Sequence, residues 1–179
     1  VKRLLETGKL SGQWSKHRAN EVVEYIRVDS AVLWDEPPLD TINVLNGLLD
    51  TKTRKLRSHD PAFLSAIQLP VNFDPNATCP NTDKFVKEVY PADATELAWE
   101  LRGWIMRPDK SHQKAGLLLA EGANGKSTEL NAIKAFVGTR NVAGVSLHQL
   151  ENDKFACARL IGKLANICPD LPSEHLVST

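Results

Sequence analysis

The sequence predicts an α/β chain in two parts. Residues 1–107 read as a mainly helical region carrying a small β-hairpin, and residues 108–179 as a partial P-loop core with a parallel sheet. Three observations predict this. Asn46-Gly47 sits between the apolar-rich runs 42–45 and 48–49, a strong short-range hairpin signal because both residues tolerate positive φ. Leu97, Leu101, Trp104 and Ile105 recur at helical spacing. After a polar joint at 108–114, the pattern changes to strand, glycine-rich turn, helix, short strand, helix, strand, the order of a parallel α/β sheet.

The elements follow in chain order. Ser15 is placed to cap a helix running to about Arg27, with Val22, Val23 and Ile26 on one face. Five Lys/Arg against Glu6 alone in residues 1–18 read either as a solvated terminus or as an arm that contacts phosphate. Pro37-Pro38 breaks the chain. Beyond the Asn-Gly hairpin, the polar turn 51–55 leads to a second short strand around Leu56. Lys52, Arg54, Lys55 and Arg57 in that stretch form a solvated hairpin or touch a DNA backbone. A short helix is expected at 61–64, a loop punctuated by Pro70, Pro75 and Pro80, then helices at 83–89 and 94–106; the aromatics of the second read as core rather than as a base-stacking platform.

Composition narrows the function classes. The 179 residues (19.8 kDa) suit one domain, or one small and one partial domain, large enough to fold without disulfide or metal staples. Hydrophobic residues make up 42% and charged ones 25%, and 22 cations balance 22 anions, which excludes a globally basic nucleic-acid coat but not a local patch. No run approaches the roughly 20 apolar residues of a membrane span, and no signal-peptide core opens the chain, so a cytoplasmic location is expected. The chain begins at Val1 without a Met and reads as a fragment or a processed product. Cys79, Cys157 and Cys168 are widely spaced and the five His are scattered, so no metal-ligand spacing emerges.

The chemistry concentrates after the joint. Residues 115–120 read as a buried strand, and Glu121, Gly122, Ala123, Asn124, Gly125, Lys126, Ser127 and Thr128 follow it. Leu130, Ile133, Phe136 and Val137 then mark a helix face that Gly138 stops. Strand, glycine-rich loop and helix is the context a P-loop requires. Gly122 and Gly125 let backbone N–H groups turn toward phosphate oxygens, and the helix N-terminus adds partial positive charge. Lys126 would reach the β and γ phosphates of ATP, and the Ser127 hydroxyl would coordinate Mg²⁺. Ala120 stands where the usual motif has its first Gly, and an ordinary strand-to-helix turn with a surface Lys is the competing interpretation. Downstream, the apolar stretch 164–168 reads as another buried strand that delivers Asp170 at its C-terminal edge. Asp170 is either the second acid on the Mg²⁺ side or a residue that starts a turn or caps a helix before Leu171-Pro172.

Several stretches together carry a family resemblance: 43–50, 55–61 ending in His59-Asp60-Pro61, Gln68-Leu69-Pro70-Val71, the 121–128 loop, Val145-Ser146-Leu147-His148, Phe155-Ala156 and 162–167. From about Leu33 onward the sequence resembles the phage/plasmid primase family, which is similar to the poxvirus primase–helicase and carries a superfamily 3 helicase module. The resemblance implies a helical and small-strand region ahead of an AAA+-like ATPase core. It implies a ring, usually a hexamer, that couples ATP binding and hydrolysis to movement along single-stranded or forked DNA, with a primase domain upstream. Residue by residue, Gly122 to Thr128 match the phosphate loop and Asp170 an acid of the Walker B end. Pro169 stands where many relatives have a second acid, which leaves the general base unassigned.

Two readings from different classes result. The first is a fragment of a replicative helicase, with Lys126, Mg²⁺ and an arginine from a neighbouring subunit neutralising the transferring phosphoryl group. The alternative is a non-catalytic DNA-binding or scaffold fragment with an idle P-loop. A P-loop kinase of small molecules has no use for the N-terminal resemblance. As a truncated chain, the fragment is expected to unwind no DNA by itself.

Overall fold

A computed structural model describes residues 15–34, 36–109, 111–119, 121–122 and 124–169. The chain divides into two compact units, Val1–Leu33 and Trp34–Thr179. In the first, helix α1 (Lys16–Asp29) starts where the sequence predicts, because Ser15 is extended and its hydroxyl accepts the Arg18 N–H. No residue of α1 is buried within its own unit, and a Glu24–Arg27 ion pair at 2.7 Å adds one turn-to-turn contact on its exposed surface.

The second unit opens with a three-stranded antiparallel meander: β1 (Thr41–Val44), β2 (Gly47–Asp50) and β3 (Leu56–Arg57). Both predicted strand pairs form, but the first turn is centred one residue early, on Leu45-Asn46, with Val44 opposite Gly47. Gly47 is needed for a different reason. A Cβ there would lie 2.3 Å from the Arg57 carbonyl oxygen, so only glycine lets β3 approach. Asn46 instead ties the turn to the following loop, accepting from Phe73 N–H and donating to Phe73 C=O, both at 2.9 Å. The helix expected at 61–64 is a single turn closed on Asp60, whose carboxylate accepts the Ala62 N–H. It does not propagate: the Ser65 N–H turns to the Phe63 carbonyl at 3.0 Å, and the Leu64 carbonyl accepts the Trp34 N–H at 2.7 Å.

Helix α2 (Pro80–Val89) begins with proline at its first turn, and a 3₁₀ turn (Ala92–Ala94) leads into α3 (Thr95–Ile105). The buried face of α3 is rotated from the one the apolar spacing predicts. Ala98 and Arg102 are buried, whereas Leu97 is 63% exposed. The reason is polar: Arg102 turns inward to meet a carboxylate on the next helix, α4 (Lys126–Val137). Gly138 ends α4 with φ 89°, and a Cβ there would lie 2.9 Å from Pro70 Cδ.

The predicted strand–helix–strand continuation is present in short form. Strand β4 (Val142–Ala143) runs parallel to β5 (Ala165–Asn166), and α5 (Leu147–Asn152), held by a Ser146/Gln149 capping box, lies in the crossover. Val44, Leu69 and Val137 form one buried cluster, joined by Ile105, Met106, Val142 and Leu164, so residues from both sides of the 108–114 joint share a core. Asn141 crosslinks it, donating to the Gln68 and Val137 carbonyls at 2.8 and 2.7 Å.

One expectation fails. Residues 115–119 form no strand, and Leu117 and Leu119 are 62% and 81% exposed. A strand gains its hydrogen bonds only by pairing, and among the described residues the parallel sheet is two strands of two residues, neither joined to this segment. The architecture is therefore mixed α/β, with helices and two small sheets.

Candidate phosphate-binding loop

Helix α4 starts at Lys126, directly after Gly125. Gly125 is left-handed (φ 85°, ψ 0°), and a Cβ there would lie 3.1 Å from Val89 Cγ2 and 3.4 Å from the Phe85 ring. Backbone conformation and packing against α2 thus both call for glycine. Gly122 also has positive φ (24°) but open space around it. The N-cap, Gly125, has no side chain to cap α4, and the positive end of the helix dipole faces the loop before it.

The loop is organised by Asn124. Its amide donates to the Glu121 carbonyl at 2.6 Å, and its Oδ1 accepts from Lys126 Nζ at 2.8 Å. Gly125 and Lys126 are half-buried; Ser127 and Thr128 are exposed. These residues — Gly122, Asn124, Gly125, Lys126, Ser127 and Thr128 — adjoin along one loop and one helix turn. Ala120, Ala123 and Asp170 lie outside the described residues. The approach to Asp170 is described as far as Pro169. Asn166 exchanges two 2.8 Å hydrogen bonds with the Val145 backbone, and Ile167 is buried.

Sequence reasoning missed the group that anchors this helix. Glu129, one residue past the glycine-rich motif, is 1% exposed, and its Oε2 accepts from Arg102 Nη2 at 2.6 Å. Arg102 also donates to the Ala98 carbonyl at 2.6 Å, and its guanidinium lies 5.1 Å from the Trp99 ring centre. The Tyr90 hydroxyl and Glu129 Oε1 are buried without hydrogen-bond partners among the described residues. Burial, and then the charge of the Glu129 carboxylate, push Tyr90 up to about 12. A first-turn Glu is an ordinary helix-start residue. The one available signal was Arg102, four residues after Ala98 on the side of α3 that apolar spacing leaves unexplained.

Among the described residues, no cluster of His, Cys, Asp and Glu is placed to hold a metal ion, and no helix is long and apolar enough to cross a membrane. The helix start, the left-handed Gly125, the Lys126 ammonium and the Ser127 hydroxyl follow one another along this turn, group types that suit an anion.

The fold and loop define a mixed α/β protein with a glycine-rich, helix-opening turn. Residues 8–91 match the family described as D5 N terminal like. That match supports a primase–helicase-like replication protein. The matched segment covers just under half of the chain and ends ahead of α3, so the glycine loop lies outside it. No curated protein matches the chain.

Proposed function

We propose that this chain is part of a D5-type primase–helicase in which residues 122–128 bind Mg-ATP and couple its hydrolysis to movement along single-stranded DNA. The single observation that carries the reading is the left-handed Gly125 opening α4 with no side-chain cap, with Lys126 at the first helical position. The match of residues 8–91, which lies ahead of that turn, supports reading the chain as a replication protein.

In this reading the α4 amides and Lys126 bind the phosphates and neutralise their charge. The Ser127 hydroxyl and the Asp170 carboxylate would hold the metal. Mg-ATP supplies the phosphoryl group and the divalent charge that stabilises its transfer. Lys126 leaves Asn124 to engage phosphate, which makes Asn124 the residue that holds the ammonium in readiness. Assembly into a ring, a hexamer in the full protein, with an upstream primase domain and a cytoplasmic site of action, belongs to the same proposal.

A second reading is favoured by two observations. The Lys126–Asn124 bond already satisfies part of the ammonium, and 115–119 is not a strand, as suits an idle loop. The two are separated by measuring phosphate release with and without single-stranded DNA, for this chain and for one extended past Thr179. Stimulated hydrolysis that Lys126→Ala abolishes supports the motor. Absence of turnover from both chains supports the idle loop.

A further inference from the structure

We infer that the β2–β3 hairpin tip is a nucleic-acid backbone-binding surface, with Lys52, Arg54, Lys55 and Arg57 as its phosphate contacts. The inference rests on the replication-protein reading only for the choice of DNA as the nucleic acid.

The charge distribution comes first. The chain is neutral overall, yet four of its 22 cations fall within six consecutive residues that contain no acid. All four are exposed, and none makes a salt bridge among the described residues. The acids that bracket them are occupied with backbone. Asp50 Oδ1 accepts the Lys52 and Thr53 N–H groups at 3.0 and 2.6 Å, and Asp60 Oδ1 accepts the Ala62 N–H at 2.9 Å.

The tip is held in one conformation by backbone bonds from Asp50 N–H to Lys55 C=O and from Arg54 N–H to Asp50 C=O. Arg54 takes a left-handed backbone (φ 55°), uncommon for a side chain of its size. The base of the hairpin is fixed by buried Val44 and Leu48 and by the close approach at Gly47. Four cations on a preformed turn bind a polyanion at little ordering cost. No Phe, Tyr or Trp lies between Asp50 and Asp60, so base stacking has no platform and the contact is to phosphate, independent of sequence.

The test is fluorescence anisotropy of a labelled oligothymidine titrated with the full chain over a range of NaCl. The hairpin variant is Lys52→Gln/Arg54→Asn/Lys55→Gln/Arg57→Gln, in which Asn suits the left-handed position. The control, Lys84→Gln/Lys87→Gln/Lys114→Gln/Lys154→Gln, removes the same charge elsewhere. We expect the hairpin variant to lose more than about tenfold in affinity at low salt. The slope of log K against log salt should fall by up to about 2.8, at ~0.7 per phosphate contact on a single strand. The control should stay within about twofold. If the hairpin variant melts early, Lys52→Gln/Lys55→Gln should show half the change in slope. Equal loss in hairpin and control variants, or an unchanged hairpin variant, would overturn the inference. Mg-ATP affinity of the hairpin variant separates the two proposals: hairpin-dependent DNA binding without ATP binding sinks only the loop reading, and Lys126-dependent ATP binding without hairpin dependence sinks only this one.

Discussion

The Arg102 guanidinium lies 2.6 Å from the Glu129 carboxylate, and the two residues stand on different helices, 27 positions apart in sequence. Glu129 is 1% and Arg102 10% exposed at the side chain, so this is a buried charge pair that docks the glycine-loop helix onto α3. Its worth lies in not being broken. Glu129→Ala strands a guanidinium in the core and should cost about 3–5 kcal/mol in urea unfolding. Arg102→Met/Glu129→Leu removes both charges and should recover most of that loss. A single variant as stable as the double would show that the pair is not coupled.

The glycines should rank by what their Cβ would meet. Gly47→Ala forces a methyl to 2.3 Å from the Arg57 carbonyl and should be the most damaging. Gly125→Ala meets side-chain atoms at 3.1 Å but must hold φ 85°, a cost of ~1–2 kcal/mol. Gly122→Ala finds open space and should be mildest of the three. Thermal melts of the three variants check the order.

Tyr90 makes stability depend on alkaline pH. Its pKa is raised from 10.0 to about 12, by burial first and then by the Glu129 charge. A raised pKa contributes stability that is fully present below the unfolded value and is lost as pH rises through the folded one. The urea midpoint should therefore fall between about pH 10 and pH 12, and Tyr90→Phe should flatten the fall relative to wild type. Identical profiles would remove Tyr90 as the cause.

Much of the fold is legible in local signals. Ser15 caps its helix, Leu56 begins the third strand and Gly138 ends α4, each from residue chemistry within a few positions, and the alternation of strand and helix signals anticipates the parallel pairing of 165–166 with 142–143. What was not legible depended on distant partners. Residues 115–119 are apolar enough for a strand, but a strand exists only if another pairs with it. Arg102 looks like a surface cation until Glu129 is known to be buried opposite it. The positive φ of Gly125 and the helix start at Lys126 are readable because their requirements are local, whereas the turn expected at Gly47 is set by β3, across the sheet.

The central claim is that the turn before α4 binds nucleotide phosphate through Lys126. Calorimetric titration of Mg-ATP into the chain and into Lys126→Ala tests it most directly. The account predicts saturable binding by the wild type, a loss of most of that affinity in the variant, and nearly equal melting temperatures, since a half-buried ammonium bonded to Asn124 contributes little to packing. Equal ATP affinity in the two proteins, with both folded, would contradict it.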